Sequence, residues 1–151
     1  MKIIVAHNFY QQPGGEDQVF AAETELLETY GHKPVRFIMH NDEIDGMSRI
    51  ALAMKTTWNR SSKQKLADVI ADVKPDIVHF HNTFPLISPA AYSAVGSQGA
   101  AVVQTLHNFR LLCANSLLFR DGKPCEECLG RAIPLPAVRH KCYRESRLAT
   151  A

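Results

Sequence analysis

Apolar runs alternate with amphipathic segments along the first two thirds of the chain. Four runs read as strands: residues 2–6, 34–39, 76–81 and 100–107. The first is continuously apolar, which is typical of a central strand buried on both faces of a parallel sheet. Helical patterns lie between the runs. This alternation predicts an α/β fold, a Rossmann-like open parallel sheet flanked by helices.

The helical segments have recognisable start and stop signals. In 16–30, an apolar face is predicted to pack on the sheet, and Gly31 is predicted to end the helix. That face comprises Val19, Phe20, Leu26, Leu27 and Tyr30. In the next clear helix, Ser61 or Ser62 is predicted to be the N-cap, and Pro75 is predicted to end the helix. Its buried stripe comprises Leu66, Val69, Ile70 and Val73. Residues 47–58 and 88–99 are predicted to form further helices.

The alternation stops after residue 110. Residues 111–142 contain turn signals, notably Asp121-Gly122, and all four cysteines: Cys113, Cys125, Cys128 and Cys142. We interpret this segment as a cysteine-rich loop insertion within a single domain spanning residues 1–151. Cys125 and Cys128 form the C-x2-C half of a tetrahedral structural zinc site, and His140 is able to replace one of the outer cysteines. The alternative is a set of unligated thiols.

Composition limits the classes of function. The chain has 151 residues, 46% hydrophobic and 21% charged, which is a globular composition. A net charge of +2 is too small to indicate a nucleic-acid partner or an anionic membrane. No apolar run approaches the roughly 20 residues that span a bilayer, and the amino terminus is too short for a signal peptide. We therefore expect a soluble, cytoplasmic protein.

Polar residues collect where the predicted strands end. Four histidines occupy such positions: His7, His79, His81 and His107. Three asparagines follow them: Asn8, Asn82 and Asn108. In open parallel sheets, ligands bind beyond the carboxyl ends of the strands, so we expect these residues to line a cleft.

Gly14 and Gly15 lie between the first strand and the first helix. They would let backbone N–H groups approach a phosphate at the start of a helix. The alternative is a permissive surface turn. The loop matches neither a G-x-G-x-x-G fingerprint nor a Walker A motif, which disfavours a nicotinamide dinucleotide.

The remaining strand-end histidines also have two interpretations each. His79 and His81 share one face of a strand and have a spacing that suits a metal, but no acidic residue adjoins them, which favours packing within the sheet. His107 precedes Asn108 and Arg110, and we expect it to contact a sugar hydroxyl or a phosphate. Its alternative role is to close the strand.

Three blocks of sequence together resemble the amino-terminal domain of glycosyltransferase family 4, which contains retaining enzymes of GT-B architecture. They are HNFYQQPGGEDQVF (7–20), KPDIVHFHNTFPLISPAAY (74–92) and VVQTLHNFRLLCANSLLFRDGKPCEECLG (102–130). The resemblance covers nearly the whole chain. It implies an acceptor-binding domain that faces a carboxyl-terminal domain holding most of the nucleotide-sugar donor. That second domain, with its basic phosphate-binding residues, is not in the sequence, so we expect this chain to be inactive alone.

The resemblance also implies roles for individual residues. Gly14 and Gly15 would approach the donor diphosphate, and His107 would lie near the transferred sugar and serve catalysis. The remaining strand-end residues would line the cleft on the acceptor side: His7, Asn8, His79, His81, Asn82, Asn108 and Arg110. The family needs no metal for its chemistry, so any zinc would be structural.

The expected function is transfer of a sugar from a nucleotide-sugar to a glycan or lipid-linked acceptor in surface polysaccharide or glycolipid assembly, at the inner face of the membrane. Two other classes stay open. One is a metal-dependent hydrolase using His79 and His81. The other is a non-catalytic module whose zinc-stabilised loop binds a protein.

Overall fold

The structure is a computed structural model that describes residues 1–150. The chain divides into two compact units, residues 1–105 and the segment from Leu106 onward. The predicted cysteine-rich segment, 111–142, lies entirely within the second unit. The described residues contain no helix with the length and apolar character needed to cross a membrane.

The first unit contains a four-stranded, entirely parallel sheet in the order β2-β1-β3-β4. The strands are β1 (Lys2–Phe9), β2 (Lys33–His40), β3 (Ile77–Phe80) and β4 (Ala101–Gln104). Helices flank the sheet, so the predicted α/β class with a Rossmann-like open sheet is confirmed. Strand β1 is central and pairs with β2 and β3, which explains its continuous apolar run.

The four α-helices of the first unit overlap the segments for which the sequence predicts helices. They are α1 (Gly15–Thr29), α2 (Arg49–Thr57), α3 (Arg60–Val73) and α4 (Ala90–Gly96). Helix α4 is shorter than the predicted 88–99, and a short 3₁₀ helix (Asn41–Ile44) is not among the predicted elements. Gly31 has a φ of +79°, which confirms it as the left-handed residue that stops α1.

The two faces of β1 pack into different apolar clusters because successive side chains alternate across a strand. Ile4 and Ala6 join the larger cluster, to which α3 contributes Leu66 and Ile70. On the opposite face, two further β1 residues, Ile3 and Val5, pack with Phe20 of α1. Helix α1 therefore covers one face of the sheet.

The prediction of which α1 residues are buried is wrong for three of the five residues. Only Phe20 is fully buried, and Leu27 packs partly against the same cluster. The other three side chains are exposed: Val19, Leu26 and Tyr30. Asp17 and Thr24 are buried in their place because each has a hydrogen-bond partner: Asp17 contacts His7, and the Thr24 hydroxyl donates to the Phe20 carbonyl at 2.6 Å.

The predicted N-cap of α3 is also wrong, by two to three residues. Asn59, rather than Ser61 or Ser62, is the N-cap, and its Oδ1 accepts from the Ser62 amide at 3.2 Å. Asn59 is the better cap because its Nδ2 also donates to the Leu86 carbonyl at 2.6 Å, which ties the helix start to the loop before α4.

The second unit consists mainly of turns. A hairpin joins β5 (Phe119–Arg120) to β6 (Lys123–Pro124), and Asp121 and Gly122 between them both have positive φ. Two positive φ values are typical of a type I′ turn, so the predicted turn at this dipeptide is confirmed. Two short helices follow, α5 (Leu135–His140) and α6 (Arg147–Thr150).

Candidate functional site

The strand-end histidines of the first unit lie beneath α1. His7 lies within β1, His79 lies in β3, and His81 directly follows β3. His7 and His81 are 0% and 2% exposed, so neither side chain lines an open cleft in this unit. The three rings are close together. The ring centroids of His79 and His81 are 4.4 Å apart, and those of His7 and His81 are 6.2 Å apart.

A buried contact joins His7 to the double-glycine turn. His7 Nε2 lies 2.7 Å from Asp17 Oδ1, and the other carboxylate oxygen of Asp17 accepts from the Gly14 amide, also at 2.7 Å. The Asn82 amide donates to His7 Nδ1 at 3.4 Å. Because Nδ1 accepts, Nε2 carries the proton and donates to Asp17. This chain of contacts fixes the start of α1 on the end of β1.

The double glycine is not explained by backbone strain or by crowding within the protein. Gly14 has a φ of −122°, which any residue adopts, and Gly15 is the first helical residue. A Cβ on Gly15 would meet no atom within 4 Å. The Gly14 amide is already bonded to Asp17 and is not available to a ligand. The open space beside the helix start is at Gly15, which has no side chain.

The strand-end asparagines have structural contacts. Asn8 Nδ2 donates to Asn41 Oδ1 at 2.8 Å and to the Phe84 carbonyl at 2.9 Å. Asn82 Nδ2 donates to the Asn8 carbonyl at 2.7 Å, while its Oδ1 accepts from the Phe84 amide at 3.1 Å. Both side chains are buried, so they join the loops that follow β1, β2 and β3.

An acidic residue that sequence reasoning missed adjoins the H-x-H pair. Glu23 Oε2 lies 3.0 Å from His81 Nε2 and 3.8 Å from His79 Nδ1. The Nε2 of His79 is hydrogen-bonded to Thr105 Oγ1 at 2.8 Å. Within the described residues, these three side chains are the one group whose candidate ligand atoms all lie within 4.8 Å of one another. A signal was present, because Glu23 is three residues after the buried Phe20 and so shares its helix face.

An open groove of about 760 Å³ lies along one side of α1, from Asp17 to Glu28, and over β2. The ends of β1 and β2, together with one side of α1, form its walls. The lining residues at the strand ends and in the glycine loop are Phe9, Tyr10, Gln11, Pro13, Ile38 and His40, and those on or beside α1 include Asp17, Gln18, Glu25 and Arg36. None of the predicted cleft residues lines this groove. The missed residues Phe9 and Tyr10 directly follow His7 and Asn8 within the first family-like block.

The other predicted cleft residues belong to the second unit. The second unit begins at Leu106, and its first few residues include His107, Asn108 and Arg110. Asn108 Oδ1 accepts from the Arg110 amide at 3.0 Å, which makes a turn directly after His107. Their roles toward a ligand stay predictions.

The four cysteines are half-buried free thiols of the second unit. Burial raises the pKa of the Cys142 thiol, and the nearby Cys113 and Cys128 act in the same direction, while a hydrogen bond with Arg120 opposes them. Three of the four cysteines are therefore neighbours. No three of the cysteine sulfur atoms lie within 4.8 Å of one another. The candidate ligand atoms of Glu23, His79 and His81 do. His140, the alternative ligand, instead has its Nε2 3.4 Å from Glu127 Oε2.

Comparison with known proteins yields no family model and no curated protein that matches this chain.

Proposed function

We propose that this chain is the acceptor-side amino-terminal domain of a retaining, nucleotide-sugar-dependent glycosyltransferase that acts in surface polysaccharide or glycolipid assembly. The observation that carries the proposal is the groove along α1 and β2, which reaches the carboxyl ends of β1 and β2 at Phe9 and His40. The carboxyl ends of the strands are where open α/β sheets bind ligands. The resemblance of three sequence blocks to glycosyltransferase family 4 selects the sugar-transfer class.

The groove has the chemistry of an acceptor site for a sugar. Phe9 and Tyr10 offer aromatic surface, while Gln11 and Glu25 offer hydrogen-bonding groups. Sugars have apolar faces edged by hydroxyls, so a mixture of aromatic and polar side chains suits them. The His40 ring stacks with that of Phe9 at 5.8 Å, which fixes the orientation of one aromatic wall.

The donor diphosphate would approach the start of α1. The open space at Gly15 lets its oxygens come close to the positive end of the helix dipole. The first turn also holds Glu16 and Asp17. Because these two acidic side chains repel a diphosphate, cations must offset their charge. We propose that the carboxyl-terminal donor domain of the full-length protein supplies these cations.

His107 is the proposed catalytic residue, positioned near the transferred sugar. In the full-length gene product, His107→Ala should lower the rate of sugar transfer by about 10²–10³-fold, the usual cost of losing one group that stabilises the transition state. Transfer is measured with a labelled nucleotide-sugar and its acceptor, and far-ultraviolet circular dichroism checks the fold. His32→Ala, a histidine at the opposite end of the sheet, is the matched control. Unchanged turnover in His107→Ala would reject the catalytic role.

We extend the proposal to the surface on which the protein works. Helix α2 has no buried residue, and an apolar stripe of exposed residues along the sequence comprises Ile50 and Met54 of the helix and Trp58 directly after it. Basic residues surround the stripe, and the chain has no acidic residue from Gly46 to Ala67. Peripheral attachment to an anionic membrane surface fits this combination, since apolar and cationic groups reinforce each other there.

The cysteines of the second unit are proposed to hold a structural zinc ion. Cys113, Cys125, Cys128 and Cys142 supply the thiolates, and the metal would stabilise a unit composed mostly of turns. The ion has no part in sugar transfer under this proposal.

One observation favours the alternative of a metal-dependent hydrolase: the Glu23 carboxylate lies beside His79 and His81. The hydrolase is nevertheless the weaker candidate. Helix α1 covers the histidines, and the Phe20 ring lies 5.6 Å from that of His81, so a substrate has little access to this face of the cluster.

A further inference from the structure

We propose that Glu23, His79 and His81 form a binding site for a single divalent transition-metal ion of the zinc class, which links α1 to β3. The site lies in the first unit and is separate from the cysteines. It goes beyond the proposed sugar transfer and does not depend on it.

The distances match the spacing of metal ligands. Zinc bonds of about 2.0–2.2 Å in tetrahedral geometry place neighbouring ligand atoms roughly 3.3 Å apart. Glu23 Oε2 lies 3.0 Å from His81 Nε2 and 3.8 Å from His79 Nδ1, values on either side of that spacing. The candidate ligand atoms of the three side chains all lie within 4.8 Å of one another, which is close enough for one ion to join them after the side chains adjust.

The surroundings orient the ligands. Thr105 Oγ1 is hydrogen-bonded to His79 Nε2 at 2.8 Å. When Nε2 donates this proton, Nδ1 presents its lone pair towards Glu23. A hydrogen bond on the outer nitrogen of a metal-binding histidine is the usual way in which its tautomer is fixed.

The carboxylate has a buried oxygen that the protein does not satisfy. Glu23 Oε2 accepts no well-aligned hydrogen bond from the described residues, despite its short distance to His81. A buried carboxylate oxygen in that state costs free energy, and a cation between it and the imidazoles removes the cost. One carboxylate and two neutral imidazoles are a donor set typical of zinc and related divalent ions.

The site has a route for metal entry. The Glu23 side chain is 37% exposed, while those of His79 and His81 are 16% and 0% exposed. An ion can reach the cluster on the Glu23 side, where water can complete its coordination. Once bound, it would fix the third turn of α1 to the sheet, just as Asp17 and His7 fix the first turn.

The test is a cobalt(II) titration of the whole chain by calorimetry and absorption spectroscopy. Glu23→Gln keeps the shape of the side chain but removes its charge, and we expect the affinity of one cobalt equivalent to fall by at least about 100-fold. Glu25→Gln, an exposed residue of the same helix, should bind as the unchanged chain does. Cobalt on the cysteines gives a sulfur-to-metal charge-transfer band that all three proteins share, so it does not affect the comparison.

A second measurement needs no variant. Nitrogen NMR of the histidine rings in the unchanged chain should show that His79 and His81 shift as zinc is added beyond the first equivalent, which the cysteines can take up, while His32 does not. If these two rings do not respond, or if Glu23→Gln binds cobalt as tightly as Glu25→Gln, the proposal is wrong and the cluster is an ion pair. Because both readouts measure binding, their failure leaves the sugar-transfer proposal unaffected.

Discussion

At the scale of single residues, the first unit depends on buried polar groups that satisfy one another. Asp17 is 7% exposed and bonds with both carboxylate oxygens, one to His7 and one to Gly14. A buried carboxylate without such partners would be strongly destabilising. The pair therefore fixes the orientation of the His7 ring and the start of α1 together.

Replacement of Asp17 by Asn should lower the free energy of unfolding by about 1–3 kcal/mol. The amide cannot accept on both sides, so either the buried His7 N–H or the Gly14 amide loses its acceptor. Urea denaturation followed by circular dichroism measures the change.

Glu16→Gln, in the same helical turn, is the control. It should cost less than about 1 kcal/mol because it loses only its favourable interaction with the helix dipole. Equal effects of the two substitutions would show that the contact between Asp17 and His7 contributes nothing specific.

At this scale the sequence indicated the histidines more clearly than their acidic partners. His7, His79 and His81 are recognisable because each lies near the end of an apolar run. Asp17 and Glu23 look like ordinary solvent-facing acids of a helix, since Val19 and Leu26 suggest a different buried face. The helix buries Phe20 together with Asp17 and Thr24 rather than with Val19 and Leu26, and packing of Phe20 against Ile3 and Val5 decides this orientation.

At the scale of elements, α2 differs from the other long helices in having no buried residue. Ile50, Met54 and Trp58 recur every four residues and are 76%, 69% and 47% exposed. Lys63 Nζ lies 5.9 Å from the Trp58 ring, so cationic and aromatic groups are adjacent on this face. The net charge of the chain conceals this local basic surface.

The double variant Ile50→Ser/Met54→Ser should bind vesicles that contain anionic phosphatidylglycerol at least about tenfold more weakly than the unchanged chain. Each large apolar side chain that inserts contributes about 1.5–3 kcal/mol at most. Co-sedimentation with vesicles measures the binding.

Leu26→Ser, on the exposed face of α1, is the matched control and should bind normally. Binding that survives the double variant, or equal binding to neutral vesicles, would remove α2 from the membrane proposal.

At the scale of the whole molecule, the two units are stabilised by different means. The first has a sheet with apolar clusters on both faces of β1. The second has two two-residue strands and two short helices, and it exposes several large apolar side chains, among them Leu111, Leu117 and Leu148. A small segment with little core commonly gains stability from a metal.

We predict that Cys125→Ser/Cys128→Ser lowers the zinc content by one equivalent and makes residues 106–150 at least about tenfold more susceptible to limited proteolysis. The metal, when bound, holds thiolates from separate turns of the second unit. Elemental analysis and mass spectrometry of the cleavage products provide the readouts.

Glu23→Gln should keep the cysteine-bound zinc, which separates the two metal proposals. A cysteine variant with unchanged zinc content and unchanged proteolysis would show that the four residues are ordinary thiols.

The sequence by itself determined the fold class, the order of strands and helices, the Gly31 stop and the turn at Asp121-Gly122. These features follow from local periodicity and from backbone preferences. Both depend only on residues that are close together in the sequence. Only the tertiary structure decided which face of α1 is buried and that Glu23 meets His79 and His81. Those contacts join residues far apart in the chain, and they depend on how whole elements pack rather than on any local pattern.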